Sequence, residues 1–221
     1  MWYLIRKFSG FFLFYMATYF GILFPFINYD RIHSPEPLSL SFVLYIITYL
    51  FWLVLGSIYS HEQLEHKNRG YAFLRNFPIN RRDIVLSKYI LVFLSVLIFV
   101  TVQYFWMGSI FADPKKAATG QSFALIMGGS CLVLAGWCYT LIFRFGFGKF
   151  GKILLISWIL LMISPLMLLA FILPKLGLTR EDIILYFTKT DPLAAVTFSF
   201  ILFAASYLAS LKFFSREIVQ G

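Results

Sequence analysis

The sequence predicts an all-α, polytopic membrane protein with six transmembrane helices, and three observations carry this. First, 60% of the 221 residues are hydrophobic and only 13% are charged, with mean hydropathy +0.81. Soluble domains carry about a quarter charged residues, so this chain has too few charges to cover a surface in water. Second, the charges are bunched, and the gaps between bunches are long enough to span a bilayer. Third, the basic residues collect in alternate connections between those gaps.

The gaps place the elements. Uncharged stretches of 22, 25, 24, 27, 22 and 20 residues lie between Lys7 and Asp30, Glu36 and Glu62, Lys88 and Asp113, Lys116 and Arg144, Lys152 and Lys175, and Asp191 and Lys212. About 20 apolar residues cross the hydrocarbon core as a helix, where every backbone polar group must be bonded internally. The predicted spans are 8–27, 38–60, 84–112, 121–143, 153–173 and 192–211, in a single transmembrane domain covering residues 1–221. The first is read as a span rather than a cleaved signal. It ends on Phe24-Pro25-Phe26-Ile27, which lacks the small residues of a cleavage site.

Orientation follows from lysine and arginine. The N-terminus, residues 60–88, residues 144–152 and the C-terminus together hold thirteen of the nineteen cations and four of the ten acids, a net +9. The opposite side holds six of each. The basic side is expected in the cytoplasm, with both termini there and the chain multi-pass in the plasma membrane.

The first external connection, 28–37, is short and turn-rich, and so is the second around Asp113-Pro114. The third is longer, and Thr179-Arg180-Glu181-Asp182 within it has a helix-start pattern, an uncharged cap followed by acids. On the basic side, Arg69 to Phe77 places Phe73, Leu74 and Phe77 on one helical face. Pro78 ends that helix, Asn80 caps the next and Asp83 sits in its first turn. A short amphipathic helix between spans two and three is the expectation.

Small residues mark close helix approaches. Ala124, Gly128, Cys131, Ala135 and Cys138 form one stripe of the fourth span, and Ala195, Ser199, Ser206 and Ser210 a weaker one of the sixth. Such stripes let backbones pack tightly; packing within the chain is expected. Cys131 and Cys138 are two helical turns apart, roughly 10 Å, too far for a disulfide. Pro165, flanked by Met162, Ser164 and Met167, interrupts the fifth span's hydrogen-bond ladder.

Two patterns suggest soluble chemistry and fail on context. Gly146-Phe-Gly148-Lys149-Phe-Gly151-Lys152 matches the start of a P-loop, but Ile153 stands where a magnesium-binding Ser or Thr is needed. It also lacks the strand and downstream acid of a dinucleotide site. It reads as a tight basic turn. His61, Glu62, Glu65 and His66 miss the zinc spacing H-E-x-x-H and read as a helix end facing water. The predicted spans contain no Asp, Glu or Arg and a single lysine, Lys88 near the start of the third, whereas gradient-driven carriers place ionisable groups deep within theirs. Any uphill transport therefore needs energy from outside the chain.

Glu65, Arg69-Gly70, Leu74, Phe77-Pro78-Ile79-Asn80-Arg81-Arg82 and Ser87-Lys88 resemble the second cytoplasmic segment of type-2 ABC exporter permeases, with Phe77 and Asn80 as mild departures. The resemblance covers nearly the whole chain. It implies a permease subunit with a coupling helix, forming half of a translocation path with a second permease subunit, as a homo- or heterodimer. It implies no enzymatic activity and no cofactor in this chain, with ATP and magnesium held by a separate cytoplasmic ATPase. The ATPase-coupling residues it implies are Glu65, Arg69, Gly70, Phe73, Leu74, Phe77, Pro78, Arg81 and Arg82, with Gly148 and Lys149 as a second contact. Phe51, Trp52, Met162, Ser164, Pro165 and Met167 are candidates for the substrate path, suited to an amphipathic peptide, an antimicrobial or a lipid-like compound. The alternatives are the substrate-capturing membrane subunit of a vitamin importer, for which the basic loop is unexpected, and a non-transporting membrane scaffold.

Overall fold

Helix starts and stops in the computed structural model follow the local chemistry of the sequence. The structure describes residues 40–67, 80–110, 114–167 and 189–217; side chains of 40–53, 81, 107–110, 115–116, 158–167 and 215–217 lie outside that description. Five long helices result: α1 (Leu40–Lys67), α2 (Arg81–Ile110), α3 (Pro114–Phe145), α4 (Phe147–Met167) and α5 (Pro192–Glu217). The described residues are helical apart from short turns.

Asn80 opens α2. Its Oδ1 accepts from the Arg82 amide at 3.1 Å and its carbonyl from the Asp83 amide at 2.9 Å, satisfying donors that a helix N-terminus leaves free. Pro114 and Pro192 stand first in α3 and α5, where proline sacrifices no intrahelical bond. Asp191 caps α5 by accepting from the Leu193 amide at 2.9 Å. Between α3 and α4 the break is one residue. Gly146 has φ 75°, a left-handed conformation in which a Cβ is disfavoured, and its amide still reaches the Ile142 carbonyl at 2.8 Å.

Among the described residues, three helical stretches are long and apolar enough to cross a membrane: Arg82–Trp106, Ala117–Phe145 and Pro192–Phe214. They overlap the predicted third, fourth and sixth spans. The predicted second and fifth fall on α1 and α4; the first span and the helix after Thr179 lie outside the described residues. Helix α4 runs through Pro165 to Met167.

The core is a three-helix bundle of α2, α3 and α5, with α1 and α4 packed against each other beside it. Helix α3 uses two adjacent faces. Toward α2, a Cβ on Gly128 would overlap Val100 Cγ2. Toward α5, Gly129 lies against Ser199 and Gly136 against Ser206. Both glycines and both serines are seven residues apart, so α3 and α5 run parallel with matched heptads. The Phe143–Phe214 edge contact, with centroids 5.0 Å apart, extends the seam. Helix α2 runs antiparallel to both, since Tyr89 meets Gly136 and Ser206 while Tyr104 meets Gln121. The predicted α3 stripe is buried within the chain at Ala124, Cys131, Ala135 and Cys138, and both cysteines are free thiols.

The buried face of α2 reads Val85, Tyr89, Val92, Val96, Phe99, Gln103, a regular helical stripe that ends on an amide. Among the described residues, neither Gln103 Oε1 nor Nε2 has a hydrogen-bond partner. A buried unsatisfied polar group costs about 1–3 kcal/mol. Gln103→Leu, similar in bulk and continuing the stripe, is therefore expected to raise thermal stability in detergent by about 1 kcal/mol. Thermal unfolding of the purified variant checks this, and a lowered Tm would mean the amide is satisfied in the assembled protein.

Candidate functional site

The polar residues gather at one end of the bundle, where α1 finishes, α2 begins, and α3 gives way to α4. This is the end that carries the exposed Lys67, Arg82, Arg144 and Lys149.

Helix α1 turns the stripe Leu55, Ile58, Glu62, Glu65 inward, with exposures of 2, 1, 0 and 2%. The 3,4,3 spacing is that of one helix face, so two acids occupy positions where apolar residues would continue. Opposite them, Lys88 lies between Ile84 and Val92 on α2 and is 1% exposed. Lys88 Nζ donates to Glu62 Oε1 in a fully buried ion pair. His61 Nδ1 approaches the same carboxylate oxygen at 3.3 Å. Beyond the carboxylate, the ammonium lies 5.7 Å from the Tyr139 ring centroid and 5.9 Å from that of Phe143. A cation over a ring face is attracted by the ring quadrupole. Lys88 thus ties α1, α2 and α3 together at one atom.

Burial raises the pKa of the Glu62 carboxyl, but the Lys88 ammonium, aided by His61, more than offsets it and holds the group at about 2. Burial and then Lys88 push the His61 ring below its ordinary 6.5, against the pull of Glu62 and Glu65. A neutral imidazole beside an intact carboxylate–ammonium pair is the resulting state.

One turn deeper, hydroxyls join the three bundle helices. Tyr89 Oη donates to the Gly136 carbonyl at 3.0 Å and lies 3.2 Å from Ser206 Oγ and 2.8 Å from Ser210 Oγ. Thr140 Oγ1 bonds the Gly136 carbonyl at 2.9 Å and lies 3.1 Å from both the Ser206 carbonyl and Ser210 Oγ. Each such interhelical bond adds about 0.6–2 kcal/mol within a membrane. Here the network fixes α2 to the α3–α5 seam.

On the other side of the ion pair, α1 meets α4. The Phe147 ring sits 5.7 Å from Tyr59 and 5.8 Å from His66. A Cβ on Gly148 would make ordinary contact, 3.5 Å, with His66 Cε1. The last turn of α1, which leads into residue 68, therefore packs directly on the first turn of α4.

The predicted coupling residues fall as follows. Glu65 is buried on α1, Arg82 is exposed on the first turn of α2, and Gly148 and Lys149 are exposed on the first turn of α4. Arg81 is the first residue of α2, its side chain outside the description. Arg69, Gly70, Phe73, Leu74, Phe77 and Pro78 lie outside the described residues. Phe51 and Trp52 fall on α1, and Met162, Ser164, Pro165 and Met167 on the last turns of α4, their side chains likewise outside it.

One reading is corrected. The end of α1 was expected to face water, but His61, Glu62 and Glu65 are buried at 5, 0 and 2%, and only His66 of the four is exposed. The cause is Lys88: a partner across the helix interface lets Glu62 stay charged out of water. Gly151 of the P-loop-like run lies inside α4, where its amide is placed to bond the Phe147 carbonyl one turn back, and Gly148 stands in the first turn of that helix rather than in a loop.

The profile of the family described as ABC-2 family transporter protein matches residues 2–215. No curated protein matches the chain, and no solved structure does. A match over nearly the whole length, on a helical chain with membrane-spanning apolar helices, settles the affiliation: the chain belongs to the ABC-2 transporter family and is an integral membrane permease component of an ABC transporter.

Proposed function

We propose that the chain is the permease subunit of an ATP-driven exporter, forming half of a translocation path with a second permease subunit and powered by a separate cytoplasmic ATPase. In this reading it has six spans, lies in the plasma membrane, and keeps both termini on the cytoplasmic side. The ATPase docks on residues 69–77, with Gly148 and Lys149 as the neighbouring contact. ATP and magnesium belong to that partner, and the cargo is an amphipathic peptide, an antimicrobial or a lipid-like compound.

The observation that carries the reading is the family match over residues 2–215. The geometry of the basic end supports it. Phe147 and Gly148 pack on Tyr59 and His66, so the end of α1, after which the proposed docking segment follows in sequence, lies against the start of α4. The apolar, aromatic exterior, including Phe105, Trp137, Phe198 and Phe200, suits lipid and a greasy cargo better than an ion.

Affinity purification from the native membrane in mild detergent tests this. A stoichiometric ATPase subunit is expected, and Phe73→Asp with Phe77→Asp is expected to remove it at least about tenfold, since two apolar anchors contribute about 2 kcal/mol or more each at an interface. Membrane insertion of the variant is expected to be unchanged. A chain that purifies alone, or with membrane partners only, would sink the reading.

A further inference from the structure

Stability alone does not explain the Glu62–Lys88 pair. Both groups are essentially without solvent exposure, and apolar residues of similar volume generally stabilise such a site as well as or better than an ion pair does. What an ion pair adds is direction: a hydrogen-bonded carboxylate–ammonium contact fixes distance and axial register, as buried polar residues do in coiled coils. Apolar side chains, by contrast, tolerate sliding.

Its place in the fold gives that property a use. Glu62 is five residues before the end of α1 and Lys88 seven residues after the start of α2. The pair therefore clamps the two helices on either side of residues 68–79. Lys88 also faces Tyr139 and Phe143 of α3, and its neighbour Tyr89 enters the hydroxyl network reaching α5. A displacement applied to the ends of α1 and α2 has a stiff connection into the whole bundle. Ile58 of α1 and Ile84 and Val85 of α2 belong to the same apolar core, and apolar side chains alone would not fix the register of the two helices.

We infer that Glu62 and Lys88 are a positioning pair for transport, holding the ends of α1 and α2 in fixed register so that movement at the ATPase-facing end is delivered to α3 rather than absorbed by sliding of α1 past α2. This rests on the permease reading above. His61, on the same carboxylate oxygen, steadies the acceptor.

The test uses the chain purified with its ATPase, with the buried Cys131 and Cys138 replaced by alanine. Spin labels at Lys67→Cys and Arg82→Cys report the separation of the helix ends. A fluorophore at Trp137→Cys, on the exposed face of α3, reports delivery when the ATPase is trapped with ATP and vanadate. Glu62→Leu with Lys88→Met is expected to fold and to trap nucleotide normally. It is also expected to broaden the 67–82 distance distribution about twofold or more and to shrink the vanadate-induced signal about five- to tenfold, the usual size of a coupling term.

A narrow distribution or a full signal in the double variant would overturn the inference. If that variant does not fold, Glu62→Gln with Lys88→Gln removes the charges at similar length and carries the same expectations. If no ATPase co-purifies, the permease reading fails, and the 67–82 distribution of the chain alone decides whether the lock exists: broad in the variant keeps it, narrow overturns it.

Discussion

Glu62→Leu is expected to be the most damaging single substitution among the described residues, lowering stability by about 3–5 kcal/mol because it leaves the Lys88 ammonium buried without its counter-charge. Lys88 is 1% exposed, and the rings of Tyr139 and Phe143 cannot replace a carboxylate. Adding Lys88→Met should recover most of the loss, since a pair of apolar side chains carries no desolvation penalty. Thermal unfolding in detergent, run as a four-member cycle, checks both statements. Additive losses in the cycle would show that the two groups do not interact.

The same pair sets an acid limit. The Glu62 carboxyl has its folded-state pKa depressed from 4.5 to about 2, so its contribution is complete above 4.5 and is lost as pH falls toward 2. The His61 pKa is also depressed, below 6.5. A histidine held neutral opposes folding once the unfolded chain takes up a proton, so its loss begins below pH 6.5. Both act in one direction, and stability is expected to decline from below pH 6.5 and more steeply below 4.5. In Glu62→Leu/Lys88→Met the steeper segment should flatten.

Much of the bundle is legible in the sequence because lipid imposes a simple rule on it. Uncharged gaps located α2, α3 and α5, and the Asn80 cap with Asp83 in the first turn begins α2 where the sequence predicts. The serine stripe of the sixth span does meet a neighbouring helix, since Ser199 and Ser206 face Gly129 and Gly136. The ion pair was missed because counting gaps treats every charge as a boundary in water. Glu62 and Lys88 are 26 residues apart in sequence, so no local pattern joins them. A signal was nevertheless present: Glu62 continues Leu55 and Ile58 at 3,4 spacing, and Lys88 stands midway between Ile84 and Val92. Two opposite charges, each set on an apolar stripe of an adjacent helix, point to each other.

Gly136→Val is expected to lower stability by about 2–3 kcal/mol, at the upper end for overpacking a close-packed site. A Cβ at this position would overlap Ser206 Oγ, and would stand 3.1 Å from both Ser206 Cβ and Phe203 Cδ2. Rotating the serine away is not free, because its hydroxyl bonds the Phe203 carbonyl at 2.6 Å and Tyr89 Oη at 3.2 Å. Separating α3 from α5 instead would stretch the Thr140 bond to the Ser206 carbonyl. Valine in place of glycine improves helix propensity by only a few tenths of a kcal/mol, so the clash decides the sign. Adding Ser206→Ala removes the overlapping oxygen and should recover part of the loss, a non-additivity expected of residues in contact. Gly148→Ala provides the contrast, since its Cβ would find His66 Cε1 at 3.5 Å, ordinary contact. Its Tm should not fall, and helix propensity favours a rise of up to about 1 kcal/mol. Equal losses at Gly136 and Gly148 would mean that α3 and α5 are not in close approach, and the parallel seam that positions Tyr89 beneath Lys88 would have to be redrawn.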